Sequence, residues 1–158
     1  MSNNLEQKIE RLTDLADIQE LVSAYANTID DHDFQAWADL FTEDGGYGSG
    51  ADRITKDRLA SASESLLAAY PRTHHFFGLP AITINGKEAE ARCPGVTHHV
   101  KVAAHPSQSS IVGGWLRLTF RKTEDGWKIV NAYADTSWTE GGDYFGGAAA
   151  IVEQYVDN

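Results

Sequence analysis

The chain has one cysteine, few positive charges and no long apolar run, and each shortage removes a class of protein. A single cysteine, Cys93, excludes an internal disulfide. In an alternating stretch it reads as a small buried side chain rather than a reactive thiol. Thirteen Lys and Arg against 23 Asp and Glu give a formal net charge of −10, which disfavours nucleic acid and anionic membranes as partners. No stretch of about 18 apolar residues occurs, so no spanning helix is expected. The opening MSNNLEQKIERL lacks the basic-then-apolar order of a signal peptide, and a cytoplasmic location is the expectation. Phosphate-binding glycine loops, a GxSxG nucleophile elbow and HExxH are all missing. No cofactor or metal is expected. A facial triad of two histidines and an aspartate has no diagnostic spacing here.

What is present is ordinary globular material, 42% hydrophobic and 23% charged over 158 residues. That length fits a single domain, 1–158, able to bury a core. In LADIQELVSAYANTIDDHD, residues 15–33, the apolar residues Leu15, Ile18, Leu21, Val22, Tyr25 and Ile29 recur at spacings of three and four. They form one stripe of a helix. Asp33 reads as the N-cap of a short second helix, FQAWADLF. GGYGSG at 45–50 is turn-rich around a short strand, and a third helix is expected near 53–70.

The second half changes period. Residues 73–84 are strand-like, and Asn85-Gly86 signals a hairpin. Strict alternation then sets Ala89, Ala91 and Cys93 on one side, within a strand region over 88–104. IVGGWLRLTFRK, a turn at Glu124-Asp125-Gly126 and WKIVNAYADTSW complete the strands. Helices followed by antiparallel strands mean an α+β fold, helices packed on one face of a curved sheet. The tail, 141–158, is expected to cover a cavity mouth or reach a neighbouring subunit.

Two signals carry chemistry. At 100° per residue, Asp30 falls at the edge of the helix stripe and Asp31 further round, towards solvent. In THHFFG, His74 and His75 must face opposite ways, and alternation does not decide which enters the interior. A carboxylate holding one imidazole nitrogen leaves the other free to take a proton. An ordinary imidazole, titrating near ~6.5, suits a base at neutral pH. Continued alternation turns His99 inward and His98 out, unless a bulge at Pro94-Gly95 reverses them. Tyr25 and Tyr47 are candidate substrate contacts, with Tyr25 also fitting a core role. Leu79, Leu116, Trp138 and Tyr144 are candidate pocket walls, and Trp115 and Trp127 read as packing residues.

The order helix–Asp–short helix–THHxxG–strand–NG–strand–GGWxxLTFxxxxDGWKI–strand resembles the SnoaL-like branch of the nuclear transport factor 2-like superfamily. The resemblance spans about 8–140. It implies a cone-shaped, strongly bent antiparallel sheet wrapped by three helices, with a deep pocket, in homo-oligomers of two or three chains. The site pattern is similar to that of scytalone dehydratase and hexachlorocyclohexane dehydrochlorinase. That similarity implies Asp30 as the helix aspartate, His75 rather than His74 as the base, His99 as a second histidine and Tyr47 as a substrate tyrosine. Ile29 and, more loosely, Gly114 and Leu116 stand where the dehydratase has polar contacts, which implies a different, more apolar substrate. The expected function is a cofactor-independent lyase, a dehydratase or other β-elimination enzyme, acting on a small hydrophobic, cyclic substrate. Two alternatives are an isomerase or polyketide-cyclase-type enzyme on the same scaffold, and a non-catalytic small-molecule-binding protein. The last predicts that Asp30 and His75 do not touch.

Overall fold

A computed structural model describes residues 2–50, 52–102, 104–105 and 109–141. Tyr144 and the tail beyond Gly141 lie outside the described residues. The elements are α1 (Ser2–Asp30), α2 (Phe34–Asp39), β1 (Phe41–Tyr47), β2 (Ile54–Thr55), α3 (Lys56–Leu67), β3 (Arg72–Phe77), β4 (Ala81–Asn85), β5 (Glu88–Val100), β6 (Ser109–Thr123) and β7 (Gly126–Glu140). The helices and a strongly curved, unclosed seven-stranded sheet make an α+β fold. No helix among the described residues is long and apolar enough to cross a membrane.

The stripe of α1 does what its spacing requires. Ile18, Val22, Tyr25 and Ile29 are buried against the sheet. The helix begins thirteen residues before the expected start, at Ser2, and ends at Asp30 rather than 33. Its end is a Schellman turn. His32 takes φ +57, His32 N–H donates to Ile29 O (3.2 Å) and Asp33 N–H donates to Thr28 O (2.9 Å). Asp33 then caps α2, its carboxylate accepting from Ala36 N–H at 3.0 Å. Only three residues separate the two helices, so Asp30 is fixed by a stop on one side and a start on the other.

The sheet order is β2-β1-β7-β6-β5-β3, with β4 beside β3 on the same side of β5. Pairing is antiparallel except between β1 and β7, which run parallel. Gly86, at φ +63, makes the expected β4–β5 turn. β5 changes partners midway: Glu88–Arg92 face β4 and Gly95–Val100 face β3. Pro94 falls in the gap between those two ladders, where its missing N–H costs no ladder bond. Its carbonyl accepts from Gly78 N–H at 2.8 Å. The β5–β6 register therefore runs through Pro94-Gly95 without a shift. Bends come instead from β6–β7, where the register slips between Gly113 and Gly114 and between Thr119 and Phe120.

Midway along α1, Asp14 is buried and accepts from Trp127 Nε1 (2.9 Å) and Lys122 Nζ (2.7 Å). These bonds tie the helix to β6 and β7. Trp127 is thus a packing residue with its N–H satisfied, as expected. Cys93 is fully buried, and burial pushes its thiol up to about 11, so it is chemically quiet.

Candidate active site

The uninterrupted strand registers place the candidate residues. On β3, Thr73 and His75 face inward while His74 faces out. Thr73 pairs directly with His99 on β5, and His75 with Thr97. Alternation carried from Ala89, Ala91 and Cys93 turns His99 inward, where it is 2% exposed, and leaves His98 outside.

Asp30 reaches this strand from the end of α1. Its Oδ1 accepts from Thr73 Oγ1 at 2.8 Å and lies 2.6 Å from His75 Nδ1. Its Oδ2 accepts from the backbone N–H of His75 at 2.8 Å. Asp31 is exposed. Burial acts to raise the Asp30 carboxyl, but the bonds from His75 and Thr73 together outweigh it and hold the group below the usual carboxylate range. Ionised Asp30 can only accept, so Nδ1 of His75 carries the ring proton. Nε2 is then the basic nitrogen of a neutral ring.

His75 and His99 share the wall of a cavity of about 90 Å³. Their ring centroids are 5.8 Å apart and the planes cross at 81°. Burial first, then the neighbouring His75, lower His99 to about 3. It therefore stays neutral across the physiological range, with one N–H to donate. Tyr25 and Tyr47 also line the cavity. Burial raises the Tyr47 phenol, against a bond from the Ala134 backbone, so it too remains a donor. Tyr25 is 4% exposed and packs edge-on against Trp37 at 5.5 Å. It is core and cavity wall at once.

Three expected wall residues are elsewhere. Leu79 is 87% exposed in the link between β3 and β4. Leu116 is 4% exposed but belongs to the core cluster rather than the cavity lining. Trp138 is half-exposed and lies across Gly113, where a Cβ would come within 2.1 Å of the indole. The walls are supplied instead by α3, through Leu59, Ala62 and Leu66, and by Trp37 of α2. Leu59, Ala62 and Leu66 recur at spacings of three and four, a pattern that marks an inward face but not what it meets. Thr73 is a further partner of Asp30, and its only trace in the sequence is the strand face it shares with His75. Among the described residues, no group of His, Cys, Asp and Glu is arranged to hold a metal.

Comparison with known proteins agrees with this architecture. The SnoaL-like domain family matches residues 10–133. The chain belongs to that family. Among solved structures, it is similar to a nuclear transport factor 2-like protein with a cystatin-like fold from Novosphingobium aromaticivorans. That pair is 27% identical, with a TM-score of 0.66 and coverage of 94% of this chain and 95% of the other. A protein named as a candidate scytalone dehydratase from the same organism is 20% identical, with a TM-score of 0.74 over 84% of this SnoaL-like chain and 90% of that one. A hexachlorocyclohexane dehydrochlorinase from Novosphingobium barchaimii is 14% identical, with a TM-score of 0.72 over 84% and 92%. No curated protein is similar enough to match.

Proposed function

We propose that this SnoaL-like protein is a cofactor-independent lyase that eliminates a leaving group from a small hydrophobic molecule. The observation that carries the reading is the 2.6 Å contact between Asp30 Oδ1 and His75 Nδ1 beside an apolar cavity. The alternative of a non-catalytic binding module predicts no contact between these two side chains. Nε2 of His75 takes an acidic C–H proton; the C–H electrons become the new double bond, and the leaving group departs with its own pair. Asp30 fixes the tautomer and stabilises the imidazolium that forms. His99 and Tyr47, both neutral donors, steady the departing group through hydrogen bonds. Their resistance to ionisation suits a holding role rather than proton release.

The cavity is smaller than the roughly 150 Å³ that accepts a benzene ring. A cyclic substrate therefore needs more room than the cavity offers as it stands, and Leu66 is one of the side chains on its wall. Named dehydratase and dehydrochlorinase neighbours on the same fold support the reaction class. The test needs no substrate identity at the outset. Small β-hydroxycarbonyl and halogenated alicyclic compounds are incubated with the protein in D₂O, and loss of the C–H signal and product formation are followed by NMR. His75→Ala, with its fold retained, is expected to lower the rate about 10²–10⁴-fold. Equal rates for the two proteins would sink the base assignment.

A further inference from the structure

The Asp30 carboxylate has a donor that the elimination reading does not use. Thr73 is buried, and its hydroxyl donates to Oδ1, the same oxygen that holds His75 Nδ1. We propose that Thr73 is a positioning residue that sets the basicity of the Asp30–His75 pair by sharing Oδ1 with the imidazole. The inference deepens the proton-abstraction reading and rests on it for its functional meaning.

The argument is one of charge. A hydroxyl bonded to a carboxylate stabilises the negative charge. That bond counts most while His75 is neutral, because the carboxylate then has no counter-ion beside it. Once His75 is protonated, the imidazolium neutralises the same oxygen and the hydroxyl adds less. Thr73 thus favours the neutral ring, the form able to accept a proton. It also completes the restraint on Asp30: Oδ2 is fixed by the His75 backbone, and Oδ1 by two side chains from one strand face.

Among the described residues, the titratable groups around the pair are few. From β3, exposed His74 brings Nδ1 to 3.8 Å from Asp30 Oδ2. From β5, His99 faces His75 and stacks edge-on with Tyr70, while His98 faces outward. Tyr25 of α1 and Tyr47 of β1 complete the wall. Among these described residues, none supplies a second carboxylate.

The experiment is an NMR titration of His75, with histidine isotopically labelled, in the full-length protein and in Thr73→Val and Thr73→Ser. Thr73→Val is expected to raise the His75 midpoint by about half to one pH unit, and Thr73→Ser to restore it. A merely structural threonine would leave the midpoint where it is. An unchanged midpoint in folded Thr73→Val overturns the proposal, as does a downward shift. Thr73→Cys, which substitutes a weak donor, serves if the valine variant does not fold. It should shift the midpoint in the same direction, and no shift overturns the proposal. Because no substrate is involved, the two ideas fail separately. An unmoved midpoint alongside activity lost in His75→Ala rejects Thr73 alone. A moved midpoint in a protein without His75-dependent turnover rejects the lyase alone.

Discussion

His75 and His99 face each other from neighbouring strands at 5.8 Å, and Asp30 hydrogen-bonds the first of them. Two imidazoles in one cavity thus have different duties. His75 has a carboxylate to stabilise its cation, whereas burial and the nearby His75 keep His99 neutral.

Asp30→Asn tests the carboxylate without changing its size. An amide presents a donor as readily as an acceptor, so Nδ1 of His75 loses its preference for the proton. The rate of the proposed elimination is expected to fall about 10²–10⁴-fold with little change in the circular dichroism spectrum. A variant as active as the wild type would show that Asp30 is not needed to orient the base.

His99 predicts an acid-sensitive fold. Its folded value, about 3, lies below the ordinary value for histidine, so between those two the unfolded chain binds more protons. Stability must then fall as pH drops from about 6.5 towards 3, by at most about 1.4 kcal/mol per pH unit from this group. Asp30 and Asp14, both held below the usual carboxylate range, add a further loss as pH falls through their own lowered values. Urea unfolding at several pH values should give a steeper acid slope for the wild type than for His99→Gln. Identical slopes between pH 4 and 6.5 would refute the neutral-histidine assignment.

Asp14→Ala removes the acceptor for buried Trp127 Nε1 and the partner of Lys122. Leaving a buried donor unmatched costs about 1–3 kcal/mol. The melting temperature should fall, while the His75 resonance stays in place, since Asp14 lies about four turns before Asp30 on α1. An unchanged melting temperature would mean that water replaces the carboxylate at no cost.

Gly114→Ala is expected to destabilise by about 1–3 kcal/mol. A Cβ at this position would lie 2.3 Å from the Asp135 carbonyl oxygen, a backbone atom on the adjacent strand. Gly86→Ala serves as a contrast: open space surrounds its Cβ position, and the cost there is only the positive φ. Denaturant midpoints rank the two, and a larger loss at Gly86 would contradict the close approach at Gly114.

Much of this was readable from residues alone, for identifiable reasons. The α1 stripe, the Asp33 cap, the Asn85-Gly86 turn and the alternation leading to His99 are local patterns. The structure preserves their periods. His75 over His74 was not decidable locally, because a strand with no polar–apolar contrast gives no facing rule; the family resemblance supplied it. The early start of α1 had a usable trace. Leu5, Ile9 and Leu12 continue the spacing of three and four, but they are exposed rather than packed against the core. The parallel β1–β7 pairing left no trace, since its register joins segments about 85 residues apart. Leu79 and Trp138 show that apolar character does not reveal depth: one sits in a link between strands and the other rides over a glycine.

The bond from His75 backbone N–H to Asp30 has a consequence beyond chemistry. β3 ends the strand order, so its outer side carries a row of main-chain donors and acceptors that no described strand pairs. Asp30 occupies the donor at the centre of that row. The carboxylate that orients the imidazole also shields a sticky sheet margin. One side chain thus couples edge protection to the orientation of His75, and replacing it disturbs both.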